Sequence, residues 1–138
     1  MKINVHAGHN PDGKIACGAV GLIKESTQAR KVVKYVKKYL KTAGHTVYDC
    51  TCNNGTSQSD VLNKIVKKCN AHKVDLDVSI HFNSGAGHKK GNGKTTGTEV
   101  LVYALNQKPK SVATKICSEI SKLGFSNRGV KARPDLRV

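Results

Sequence analysis

Val5-His6-Ala7-Gly8-His9-Asn10 is the stretch whose reading decides the fold. It closes the first apolar run, in which Ile3 and Val5 alternate with Asn4 and His6 at the period of two that a β-strand requires. Gly8 lets the backbone turn sharply and sets His9 at the carboxyl end of that strand. In open α/β sheets ligands bind at that edge. Two histidines three positions apart at a strand end can be metal ligands, catalytic bases or ordinary turn residues. Partners elsewhere in the chain must decide among these.

The 138 residues suit one domain, long enough to bury a core and short for two. Lys and Arg number 24 against 9 Asp and Glu, a net +15 that points to a polyanionic partner: nucleic acid, an anionic membrane, or the acidic polymers of a bacterial wall. Base stacking calls for aromatic residues among the basic ones, and the chain offers only Phe82, Phe125 and four tyrosines, with no tryptophan. Cys17, Cys50, Cys52, Cys69 and Cys117 are odd in number and scattered, which argues for reduced thiols over a secreted disulfide framework. Cys50 and Cys52 form a C-x-C without the two-residue spacer of common zinc knuckles and read as a buried strand end. The first strand begins at once, with no apolar h-region ahead of it, so neither a secretory signal nor a membrane-inserting helix is predicted. Synthesis in the cytoplasm is the corresponding expectation.

Beyond a turn-rich loop at Pro11-Asp12-Gly13-Lys14, small residues fill Ile15 to Gly21. From Leu22 to Leu40 apolar residues recur at a spacing of three and four (Leu22, Ala29, Val32, Val33, Val36, Tyr39, Leu40), which predicts a helix ending at Gly44. His45 to Asp49 reads as a second strand. Ser59 or Asp60 caps a helix with Val61, Leu62, Ile65, Val66 and Cys69 on one face. Val74 to Ile80 alternates as a third strand and delivers His81 to the same sheet edge as His9. Gly85 to Gly97 reads as a solvated loop, and its Gly93-Lys94-Thr95 lacks the earlier glycine of a phosphate-binding loop, His88 standing there instead. Thr98 to Tyr103 is a fourth strand. Asn106 and Pro109 open a helix with Val112, Ala113, Ile116, Ile120 and Leu123 inward, and a further extended segment begins at Leu136-Arg137-Val138. This β-α-β-α-β-β-α order predicts an α/β fold, a mixed, mainly parallel twisted sheet flanked by helices.

Glu25 falls on the inward stripe of the first helix, near its start. An unpaired buried carboxylate costs several kcal/mol, so Glu25 is paired with a cation, bound to a metal, or at the rim of a cleft. A catalytic zinc site takes three protein ligands, often two histidines and a carboxylate, and keeps a fourth position for water. His9, Glu25 and His81 can supply that set: two sit at strand ends on one edge, and the third opens the helix that follows the first strand.

With those residues in view, the chain resembles the type 3 family of zinc-dependent N-acetylmuramoyl-L-alanine amidases, in particular clostridial and phage endolysin catalytic domains. The resemblance runs over nearly the whole chain. It rests on Val5-His6-Ala7-Gly8-His9, Gly21-Leu22-Ile23-Lys24-Glu25-Ser26, Ser79-Ile80-His81-Phe82-Asn83-Ser84 and Gly97-Thr98-Glu99-Val100, in the family's order. It implies the phosphorylase/hydrolase-like amidase fold and Zn2+ as cofactor, with His9, Glu25 and His81 as its ligands. Asn83 and Glu99 match recurrent positions near the site, Asn83 toward substrate, and His6 becomes a supporting residue. The implied reaction cleaves the amide between N-acetylmuramic acid and the L-alanine of the stem peptide of peptidoglycan, with the +15 charge helping to hold the anionic wall.

In the family the general base is a glutamate on a later strand, a position that would lie beyond Val138. Three expectations follow. The chain is the family's catalytic domain lacking its C-terminal part, which the strand begun at Leu136 favours; or Glu99 substitutes as the base; or the protein binds wall without cutting it. A basic nucleic-acid-binding domain is the alternative that charge alone suggests, and the resemblance disfavours nucleic acid as a partner. Action on the cell wall after release from the cytoplasm completes the expectation.

Overall fold

The computed structural model describes residues 1–85, 90–91, 93–94, 96–106 and 109–137. The His88 and Thr95 positions weighed for phosphate binding lie outside the described residues, as does Val138. Two compact units are present, Met1–Lys90 and Gly91–Arg137.

The first unit runs β1 (Lys2–Ala7), α1 (Glu25–Thr42), β2 (Thr46–Asp49), α2 (Gln58–Asn70) and β3 (Leu76–Ile80). Its sheet has the order β2-β1-β3, and β1 is parallel to both neighbours, with Ile3 opposite Val47 and Leu76. A central parallel strand is covered on both faces, and β1 shows it. Ile3, Val5 and Ala7 pack with Ala29 and Val33 of α1 in one buried cluster. The alternate residues Asn4 and His6 are just as buried. The Asn4 amide donates to Cys69 O at 3.0 Å, so the C-terminal end of α2 lies on that second face, where Val61, Ile65 and Cys69 pack with Cys50 and Cys52. All five cysteines are free thiols, and Cys17 alone of them is only half-buried.

In the second unit, β4 (Thr98–Val102) pairs in parallel with β5 (Asn127–Ala132), and α3 (Pro109–Ser121) packs on both strands. The expected mixed α/β architecture, parallel sheets flanked by helices, is therefore present. Among the described residues no helix is long and apolar enough to cross a membrane.

Several local expectations need correction. The first helix starts at Glu25, three residues later than expected; Leu22 is 77% exposed and Tyr39 64%. The Val20–Lys24 bridge takes up the backbone that Leu22 would have given to a helix. Ser57, not Ser59 or Asp60, caps α2, its hydroxyl accepting from Asp60 N at 3.1 Å. On α3 the buried residues are Ala113 and Cys117, whereas Val112 and Ile116, and Leu123 just past its end, are exposed. The last strand lies at Asn127–Ala132, and Leu136 and Arg137 follow it outside any strand.

Removing the Ser57 cap leaves an N–H of the first turn without its partner, at a cost of about 1 kcal/mol. Ser57→Ala should therefore lower the urea midpoint by that equivalent at unchanged slope, measured by far-UV circular dichroism.

Candidate metal centre

His9 and His81 reach the same edge because β1 and β3 run parallel in register, His6 opposite Ser79 and Ala7 opposite Ile80. The Gly8 N–H continues the ladder to Ile80 O at 3.0 Å, so the strands stay paired up to the point where both histidines emerge. Glu25 meets them as the first residue of α1, where the partial positive charge of the helix N-terminus favours a carboxylate.

Glu25 is 4% exposed, yet its two oxygens are well provided for. Oε1 lies 3.1 Å from His81 Nδ1 and accepts the Phe82 N–H at 3.1 Å. Oε2 accepts the Ala19 N–H at 2.8 Å and lies 3.5 Å from His9 Nε2. Burial alone would push this carboxyl up, but the hydrogen bonds from His81, His9 and Ala19 outweigh it and hold the group well below the usual carboxylate range. Glu25 in turn raises the pKa of His9, against the opposing effect of burial. The two imidazole rings stand edge to face with centroids 5.0 Å apart.

Two glycines make room for this cluster, for different reasons. Gly8 does not adopt a left-handed backbone; the residue that does is His9, at φ 63°. The expectation that Gly8 is the turn aiming His9 is thus corrected: a Cβ on Gly8 would run into the His81 ring, 2.6 Å from Nδ1 and closer still to Cε1 and Nε2. Gly18 needs its left-handed φ of 79° and also faces the site, since a Cβ there would stand 2.5 Å from Glu25 Oε2 and 2.7 Å from His9 Cδ2. Nothing in the sequence marked Gly18 beyond its place in a run of small residues.

One donor atom each of His9, Glu25 and His81 lies within 4.8 Å of the others. The 3.1 Å and 3.5 Å histidine–glutamate separations run to different oxygens of Glu25, so a tetrahedral zinc, whose ligands at about 2.0–2.1 Å stand about 3.4 Å apart, needs the set to contract onto one of them. His81 and His9 are partly exposed, which leaves an open side to the group. His6 is elsewhere: it is buried beneath the sheet edge with Ser79 Oγ 3.5 Å from its Nδ1, and burial lowers its pKa to about 4, keeping the ring neutral. Asn83 is exposed two residues past His81. Glu99 belongs to the second unit, where its carboxylate pairs with Arg128 at 3.1 Å and with Lys131; the hydrogen bond from Lys131 holds its pKa down.

Two imidazoles and a buried carboxylate meet at the carboxyl edge of a parallel sheet in an α/β protein, a donor set of the kind that metal sites use. The comparisons identify the family. The family model described as N-acetylmuramoyl-L-alanine amidase matches residues 3–138, and the chain belongs to that family. It is 37% identical over 137 residues to an uncharacterized protein of Clostridium perfringens and 35% identical over 138 residues to the endolysin of Bacillus phage SPP1. These matches cover 99% and 96% of this chain but 39% and 47% of those proteins, so the chain spans less than half of their length. Among solved structures, the catalytic domain of the CD27L endolysin targeting Clostridia difficile superposes with a TM-score of 0.85 at 25% identity, over 99% of this chain and 72% of that one. The CwlD amidase of Clostridioides difficile, solved in complex with the GerS lipoprotein, shares the fold with a TM-score of 0.77 at 20% identity, over 98% and 73%.

A methyl group at Gly8 displaces the His81 ring while leaving the buried cores untouched. Gly8→Ala should thus weaken zinc binding at least about tenfold, the range seen when ligand orientation is lost, with little change in far-UV circular dichroism; competition against a chromogenic chelator measures it.

Proposed function

We propose that this chain is a zinc-dependent peptidoglycan hydrolase that cleaves the amide between N-acetylmuramic acid and the L-alanine of the stem peptide. The observation that carries the reading is the convergence of His9, Glu25 and His81 on one open point at the sheet edge. Family membership supplies the reaction class. Zn2+ is the fitting ion, because imidazole nitrogen and carboxylate oxygen are its usual donors and three protein ligands leave a position free. When bound, the ion acts as a Lewis acid on the amide carbonyl and makes water a nucleophile at neutral pH.

The residues of the chain divide the remaining work. Glu25, ionised throughout the neutral range, cancels part of the metal's charge, and in the metal-free site its two oxygens hold both histidine rings in place. Asn83, exposed two residues past His81, hydrogen-bonds the substrate peptide in this reading. Water adds to the carbonyl carbon, the C–N bond breaks, and the products are the lactyl carboxylate and a free L-alanine amine. The wall is the site of action, and the net +15 charge favours its anionic polymers.

Glu99 is the carboxylate of this chain that the base role can be tested on. Its ion pairs make it a poor proton acceptor, so its part is to hold Arg128 and Lys131. A general base contributes about 10²–10⁴-fold, and Glu99→Gln is expected to cost less than tenfold in muropeptide release. A loss beyond a hundredfold at full zinc content would instead make Glu99 the base.

The purified chain should bind one zinc, and release of new N-terminal alanine from purified walls should stop on chelation and return with Zn2+. Zinc without new alanine termini would make it a wall-binding module. Absence of zinc together with salt-sensitive nucleic-acid binding would overturn the proposal.

A further inference from the structure

Arg30 lies five residues after Glu25 on α1 and turns its guanidinium toward the loop that carries His9. Nη2 donates to His9 O at 2.9 Å and to Cys52 O at 2.8 Å; Nη1 donates to Ser26 O at 3.2 Å and to Asn10 O at 3.4 Å. Nε donates to Asn53 Oδ1 at 3.2 Å. These acceptors are main-chain carbonyls and one amide, and none is a carboxylate. A cation used this way does not form an ion pair. It ties three separate pieces of backbone to one planar fork, a geometry that a lysine ammonium cannot reproduce.

What the fork holds is the strained point of the site. His9 has a left-handed backbone, which is strained for a non-glycine residue unless its surroundings fix it. Its ring faces Glu25, from the first turn of α1, and its carbonyl faces Arg30, from the second. Five residues of helix span about 7.5 Å, so one rigid element sets the distance between the grip on the His9 backbone and the carboxylate that meets the His9 ring. The neighbouring Asn10 is pinned as well, its side chain bonded to Ile15 O at 2.8 Å and to Gly55 O at 2.7 Å.

We infer that Arg30 is a positioning residue for the metal centre: by clamping the His9–Asn10 backbone to the helix that supplies Glu25, it pre-orders the His9 imidazole for the ion. The inference rests on the metal reading of the site given above. It also makes a claim about the metal-free protein that stands apart from that reading.

The test compares Arg30→Lys and Arg30→Met with Val33→Ala, a core change on the same helix that does not touch His9. Zinc affinity by chelator competition should fall about ten- to a hundredfold in both Arg30 variants, the range for residues that orient ligands, and less than threefold in Val33→Ala. The visible spectrum of the cobalt-substituted protein should shift in the Arg30 variants and stay unchanged in Val33→Ala. Hydrogen exchange of the Asn10 amide in metal-free protein should quicken in Arg30→Lys more than that of amides within α1. Wild-type protein that binds no zinc would end the metal reading and leave the exchange experiment to judge the clamp. Arg30 variants matching Val33→Ala in both affinity and exchange would overturn the inference.

Discussion

The buried carboxylate of Glu25 is the interaction on which the rest of this structure depends. At 4% exposure it is tolerable only because four donors converge on it, two of them imidazoles and two main-chain N–H groups. Those donors come from three places: the end of β1, the loop that closes on Ala19, and the residue pair after β3. Satisfying one acid thereby fixes the relative positions of everything that forms the centre. The same demand explains the glycines, because a Cβ at Gly8 or Gly18 would occupy space the cluster needs.

Around this acid the surrounding polar groups serve as scaffolding. Arg30 and Asn10 satisfy loop carbonyls that no strand or helix pairs, so the backbone between β1 and α1 is ordered without regular secondary structure. Loops that carry function are usually mobile. Here side chains at 10 and 30 reach across to backbone at 15, 52 and 55, and the loop is fixed on several sides.

The sequence showed the elements, and it singled out three residues that converge at the sheet edge, because both readings rest on patterns with a strong physical cause. Alternation marked β1 and β3, and the parallel arrangement of an α/β fold then placed His9 and His81 on one edge. Glu25 stood out as an acid on an apolar stripe, and the stripe was real at Ala29 and Val33 although its outer members, Leu22 and Tyr39, turned out exposed. Other features were not legible for equally physical reasons. For the cap of α2 the sequence pointed to Ser59 or Asp60, and the backbone geometry instead sets Ser57 there. Asn4 and His6 looked like the polar face of a strand, but the central position of β1 buries both faces and obliges those groups to find partners inside. Arg30 gave no signal, since an arginine amid a run of lysines reads as part of a solvated face until its acceptors are seen.

The pairing of β1 with β3 also governs the order of events in time. The His6–Ser79 neighbours are 73 positions apart and the Glu25–His81 pair 56, so the last donor arrives only after the longest-range strand pairing of the unit has closed. Such closure is slow relative to helix formation. An unfolded or half-built chain carries the same histidines but never the three-donor group. That group is thus a report on a finished sheet: it exists only in chains in which β3 has found its place beside β1.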